Sequence, residues 1–225
     1  MYAFNRSKVR GFTLTELTIV LGVAGLIIGA IWSATATVMN HKRAYLATQQ
    51  IGTVVQNIRE YYMNAQGIPG CGVEGFDFTS TLDSNGLFPN EMRTKSGGSV
   101  FINSPYATVA GGSFRVRGSS CSGTASRFQV VLTNLSQAAC QRLLLSAVNY
   151  RDHSIGVTKV CAGTGAGAPC HTAGSSANYI DVTCTNGVCD LDPALTLAGA
   201  ASKCNGNDAA YDGTSEVGWE FDLRK

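Results

Sequence analysis

Gly11-Phe12-Thr13-Leu14-Thr15-Glu16-Leu17 opens the stretch that decides the fold, because an apolar run follows it without a break to Met39. Ahead of it stand Arg6, Lys8 and Arg10 with no acid among them, and from Leu17 to Asn40 there is no charged side chain. At ~1.5 Å per residue that uncharged run makes a helix of roughly 36 Å, enough to cross a bilayer core. The basic flank predicts a cytoplasmic start, with the remainder of the chain on the far side. Glu16 is the one carboxylate inside the leading edge of the span. An ionisable group at that depth is expensive and points to a function with a specific partner.

The residues Gly11-Phe12-Thr13-Leu14-Thr15-Glu16, the basic leader before them and the apolar helix behind them resemble the type IV pilin superfamily. The resemblance implies a prepilin peptidase that cuts between Gly11 and Phe12 and methylates the new amino terminus of Phe12. It also implies that Glu16, five residues into the mature chain, is needed for assembly into a filament. The bland alternative is a single-span anchor or an uncleaved signal segment. An ordinary secretory signal has a shorter apolar core, with a small-x-small cut site behind it. The expected organisation is a leader over residues 1–11, a transmembrane and assembly helix over 12–40, and an extracytoplasmic globular domain over 41–225.

The helical pattern continues past the membrane. His41, Lys42 and Arg43 mark emergence into water, after which Ala44, Ala47, Ile51, Val54, Val55, Ile58, Tyr61 and Tyr62 recur at steps of three and four. That spacing is an amphipathic stripe, with Gln49, Gln50, Gln56, Asn57 and Arg59 on much of the other side. One helix from Phe12 to about Ala65 is predicted, with residues 41–65 as its amphipathic half, ended by Gly67-Ile68-Pro69-Gly70. Gly22, Gly25 and Gly29 permit close helix approach in a membrane. Each also lowers helix propensity by ~1 kcal/mol. The pilin resemblance implies a stretch that melts in the filament, expected here within Gly22–Ser33.

Beyond the helix the chain holds 8 cysteines, Cys71, Cys121, Cys140, Cys161, Cys170, Cys184, Cys189 and Cys204. An even set on the outer side reads as a disulfide framework in an oxidising compartment, and its connectivity is open from the sequence. No C-x-x-C pair occurs, and His41, His153 and His171 show no ligand spacing to one another, so no metal or other cofactor is called for. Asp190, Asp192, Asp208, Asp212 and Glu216 match no calcium loop and read as surface turns. The formal charge of +2 falls to −1 once Arg6, Lys8 and Arg10 leave with the leader, which argues against a polybasic nucleic-acid protein.

Turn signals at Asp83-Ser84-Asn85-Gly86, Ser96-Gly97-Gly98 and Gly111-Gly112 separate short strands expected at Ser99–Ile102, Ser113–Val116 and Arg127–Leu132. Phe114-Arg115-Val116-Arg117 alternates as a half-buried strand with both arginines outward. Together with Arg127 these form either a solvated face or, less favoured, a patch for DNA. Asn134 or Ser136 is the expected N-cap of a helix reaching about Val148. Cys184-Thr185-Asn186-Gly187-Val188-Cys189 centres on Asn-Gly, the preferred two-residue hairpin turn, and suggests a Cys184–Cys189 bond. Cys161–Cys170 and Cys71–Cys121 are the remaining guesses.

Leu135-Ser136-x-Ala138-x-Cys140-x-x-Leu143, with Ser202-Lys203-Cys204 and a strand over Val217–Leu223, resembles the later part of type IVb, toxin-coregulated-pilin-like pilins. That resemblance implies a Cys140–Cys204 bond bounding a so-called D-region. No catalytic frame occurs: no Gly-x-Ser-x-Gly, phosphate loop or His-Glu-x-x-His is present. The expected fold is α+β, a long N-terminal helix on an antiparallel β-sheet with a disulfide-bonded D-region. The expected function is structural rather than enzymatic: a subunit held in the bacterial inner membrane, then polymerised by a pilus assembly platform and its ATPase into an extracellular homo-oligomeric filament. The alternatives are a minor pilin, a type II secretion pseudopilin, or a pilus-borne adhesin or DNA receptor.

Overall fold

The computed structural model describes residues 13–65, 67–71, 76–106, 112–121, 123–146, 156–164, 179–185, 188–192, 204 and 215–224. The chain forms two compact units, Met1–Lys42 and Arg43–Lys225. Helix α1, Leu14–Tyr61, contributes to both. Within the first unit its apolar side chains are uncovered, from Leu14 at 81% exposure to Trp32 at 74%. The hydroxyls of Thr18 and Thr35 donate back to the carbonyls of Thr15 (2.9 Å) and Ile31 (2.8 Å), so they add no unpaired donor to this surface. The stretch Gly22–Ser33 is continuous helix in the single chain. Glycine weakens helix propensity but keeps its N–H, and no proline is present to open the hydrogen-bond ladder.

In the second unit the predicted stripe is the buried one. Ala47, Ile51, Val54, Val55, Ile58 and Tyr62 share one core with the sheet, whereas Tyr61 is exposed and meets Tyr62 edge-on, with ring centroids 4.9 Å apart. Burying each Ile or Val of this stripe contributes roughly 1.5–3 kcal/mol. Two residues expected on the opposite side instead latch the helix to its surroundings. Asn57 Nδ2 donates to the Leu87 carbonyl (2.9 Å), and Arg59 donates through Nε (3.1 Å) and Nη2 (2.8 Å) to the Asp222 carbonyl. The helix ends at Tyr61, short of Ala65, and the following turn closes with Ala65 N–H on the Tyr62 carbonyl (2.9 Å).

The remaining elements follow in chain order: β1 Ile68–Cys71, α2 Thr79–Ser84, β2 Arg93–Ser96, β3 Ser99–Ile102, β4 Phe114–Cys121, β5 Gly123–Leu135, α3 Gln137–Ser146, β6 Val157–Thr164, β7 Tyr179–Thr185, β8 Val188–Asp192 and β9 Ser215–Asp222. Among the described residues seven strands make one antiparallel sheet in the order β1-β5-β9-β6-β7-β8, with β4 also paired to β5, while β2 and β3 form a separate hairpin. The strands expected at Ser99–Ile102 and Arg127–Leu132 are present, the second within a longer one, and the one expected at Ser113–Val116 starts at Phe114 and runs on to Cys121. Helix α2 was not anticipated. Its start is set by Asp77 Oδ1, which accepts the Thr79 N–H at 2.9 Å, an Asx turn that the loop-like composition concealed. Ser136 is the cap of α3, its Oγ accepting the Ala139 N–H at 3.3 Å, and Asn134 lies in the left-handed region at φ 58°. Val148 lies outside the described residues.

One face of the sheet carries Phe114, Val116, Val130, Leu132, Trp219 and Phe221 into the core. The other face is covered as well: Val131 and Cys161 form a second small apolar cluster, and Gln129 and Glu220 beside them are buried. The arginine side chains on that face stay partly solvated, Arg115 at 34% and Arg127 at 43% exposure.

Candidate functional site

Three places carry the residues expected to matter, and the first is the start of α1. Gly11 and Phe12 lie outside the described residues. Glu16 is described, and its carboxylate is held locally. Its Oε2 accepts both the Thr13 backbone N–H and the Thr13 hydroxyl at 2.9 Å, and the Glu16 N–H lies 3.3 Å from Thr13 Oγ1. This reciprocal arrangement is a capping box, which satisfies donors left open at a helix start. Thr13 went unremarked in the sequence reading, although Thr-x-x-Glu ahead of an apolar run is the signature of that motif. An acid here also meets the positive end of the helix dipole.

The second place is the disulfide-bounded region. Cys140 on α3 is bonded to Cys204 with Cα atoms 5.9 Å apart, and both residues are fully buried. Cys161 on β6 is disulfide-bonded too, and Cys170, its expected partner, lies outside the described residues. Cys184 and Cys189 stand directly opposite each other in the β7–β8 register, with Thr185 paired to Val188, as a two-residue Asn186-Gly187 connection requires. Cys71 and Cys121 pair through their backbones with Gly123 and Ala125, two residues apart on β5. The side chains of Cys71, Cys121, Cys184 and Cys189, and with them the two expected bonds, lie outside what the structure describes.

The third place is the set of arginines weighed for DNA. Arg115 and Arg117 point away from the core, as alternation demands, yet neither is a free surface charge. Arg115 Nη1 sits 2.8 Å from Asp77 Oδ2. Burial lowers the Arg117 pKa, with Glu216 and Asp77 acting against the shift. Arg127 Nη1 lies 3.7 Å from Glu220 Oε1, a buried carboxylate that also accepts from the Ser119 hydroxyl and from Thr158 Oγ1 (2.9 Å). Burial raises the Glu216 pKa, with Arg117 and Arg115 opposing. Carboxylates that neutralise these arginines leave little net positive field for phosphates to read. Among the described residues no three His, Cys, Asp or Glu side chains gather as a metal site, and Asp208 and Asp212 lie outside them.

A helix bare and apolar along one half and sharing a sheet core along the other, with Cys140 and Cys204 bounding the later strands, defines the type IV pilin class. These are structural subunits that assemble into an extracellular pilus, not enzymes. The chain matches the family model described as PilS N terminal over residues 41–212, and it belongs to that family. Compared with curated protein sequences it finds no match. Among solved structures it is similar to TcpA, a type IV pilin from Vibrio cholerae El Tor biotype, at 14% identity and a TM-score of 0.48, covering 80% of this chain and 98% of that one. It is also similar to a type IV b pilin from Salmonella typhi at 15% identity and a TM-score of 0.37, covering 76% and 95%.

Proposed function

We propose that this chain is made as a membrane-inserted precursor, cut by a prepilin peptidase between Gly11 and Phe12 and N-methylated at Phe12. It is then polymerised by an assembly platform and ATPase from the inner membrane into an extracellular filament of identical subunits. The observation that carries this reading is the single helix Leu14–Tyr61. The part lying in the first unit leaves its large apolar side chains uncovered, a surface that either lipid or neighbouring helices must cover. Glu16 supplies the register. Once Phe12 carries a free ammonium, the Glu16 carboxylate neutralises its own or a neighbour's terminus, because an unpaired charge in an apolar bundle is costly.

The capping box sharpens the test. Glu16→Gln keeps an acceptor for Thr13, since the motif accepts either Glu or Gln, but removes the charge. Both Glu16→Ala and Glu16→Gln subunits are expected to insert and to be cut after Gly11, and both are expected to yield few or no pili. Intact-mass analysis of the subunit and electron microscopy of sheared filaments read the two steps separately. Abundant filaments from Glu16→Gln alone would reduce Glu16 to a helix cap. A mature subunit retaining residues 1–11 would overturn the processing step.

A further inference from the structure

We propose that a groove on the second unit, between α1 and the segment from Pro89 to Pro105, is a binding site for a neutral oligosaccharide. The groove measures about 870 Å³, within the size range of ligand sites. Gln49, Thr53 and Gln56 rise along one wall at steps of three and four, beside the buried stripe of the same helix. The facing wall presents Thr94, with Asn103 and Ser104 buried behind it and hydrogen-bonded to Ser113. Amides and hydroxyls that both donate and accept suit the paired hydroxyls of a sugar ring. Leu46, Pro89 and Pro105 add the apolar surface that its C–H face needs.

Charge decides the ligand class. Among the described residues no lysine or arginine lines the groove, so nothing there compensates a phosphate or sulfate. Glu91 is the only ionisable residue among its described lining, and it is exposed, where a single carboxylate gives a cation little. A neutral polyol remains.

Two further observations make the groove more than a gap. Gly52 lies inside α1, nine residues before its end, where glycine disfavours helix by ~1 kcal/mol relative to alanine. A Cβ added there would meet nothing within 4 Å. Packing against this chain therefore does not account for the glycine, and its missing side chain keeps the groove open at the helix wall. The far wall is fixed in advance: Ser104 N–H donates to Ser113 Oγ (2.8 Å), Ser113 N–H to Asn103 Oδ1 (3.0 Å) and Asn103 N–H to the Met92 carbonyl (2.8 Å). The Asn57–Leu87 bond ties the start of that segment to the helix. Preorganised polar walls lower the ordering cost of binding.

The test uses the full chain, solubilised in a detergent without a sugar head group, with maltotriose and chitotriose as neutral probes and a sulfated trisaccharide as the anionic comparison. Saturation-transfer NMR is expected to detect at least one neutral trisaccharide and not the sulfated one. Gly52→Leu fills the groove at a position open to a side chain and favours helix, so folding is retained. It is expected to weaken binding at least tenfold, and Gln56→Ala, which removes one hydrogen-bonding partner, by roughly three- to tenfold. No transfer to either neutral probe, preference for the sulfated one, or binding unchanged by Gly52→Leu would each overturn the proposal. Loss of filaments in Gly52→Leu without saccharide binding by the parent chain would instead mark the groove as a contact between subunits, and would equally overturn it.

Discussion

Replacing both Cys140 and Cys204 by alanine is the perturbation whose size follows most directly from the geometry. The bond joins residues 64 apart, and with it cut the unfolded chain regains the freedom of the whole closed loop. The chain-entropy account puts that gain at about 4 kcal/mol, and the two vacated, fully buried Sγ positions act in the same direction. A unit of this size shifts its midpoint by roughly 2–4 °C per kcal/mol, so a fall on the order of 10 °C in thermal unfolding is expected. The double variant avoids leaving one thiol to reshuffle with the other cysteines. Near-UV circular dichroism would follow packing around Trp219, which is buried in the same core as Cys140 and Cys204. Limited proteolysis would report whether the span from α3 to Cys204 opens first. A midpoint within about 2 °C of the parent would refute the reasoning, because loop closure would then contribute no more than a surface substitution.

Other outcomes follow from single residues. Gly112 sits at φ +82° and an added Cβ would lie 2.7 Å from the Ile102 carbonyl oxygen, so Gly112→Ala should destabilise by roughly 1–3 kcal/mol; a neutral result in denaturant unfolding would count against this close approach. Burial works against ionising Asp77, but hydrogen bonds from Thr79 and Arg115 prevail and hold its pKa below the ordinary value. Its contribution is present above the unfolded pKa and is lost as pH falls through the lowered folded value, so Asp77→Asn should destabilise at neutral pH and match the parent in strong acid. Glu216 has the opposite sign: burial raises its pKa, so its ionised form weakens the fold above that value and ceases to do so below the unfolded pKa. Glu216→Gln should therefore stabilise at neutral pH and have little effect near pH 3, and stability curves crossing the other way would refute the assignment. Arg59→Met removes both donors to the Asp222 carbonyl and should speed local opening of the α1 end, read as faster amide exchange around Ile58.

Much of this architecture was legible because helices announce themselves by period. Ile51, Val54, Val55 and Ile58 carry the buried face in their spacing, and Asn186-Gly187 sets the pairing of Thr185 with Val188 by turn chemistry alone. Strand bounds were less visible. Phe114–Val116 alternates, but the rest of β4 is Arg-Gly-Ser-Ser-Cys, whose extension is decided by pairing with β5 rather than by its own side chains. The arginines illustrate a deeper limit. Nothing local to Arg115 or Arg117 reveals that Asp77, far back in the chain, and Glu216, far ahead, come to lie against them. At the start of α1 the opposite holds: Thr13 and Glu16 are three residues apart, so the capping box could have been read directly.

The place of β9 has a consequence for the order in which the molecule can be finished. Ser215–Asp222 is the latest strand in the chain, yet it lies between β5 and β6 and bonds to both. Until it arrives, two inner strands keep open edges, and Trp219 and Phe221 are missing from the middle of the core. Synthesis that delivers the helix first and this strand last therefore leaves a half-built sheet until the end. Completion waits on a long-range insertion, an intrinsically slow kind of contact. Cys204 is made shortly before β9, so oxidation of Cys140 with any earlier-arriving thiol would trap the chain before its sheet could close. Thiol–disulfide exchange at that moment would set the yield of correctly closed chains.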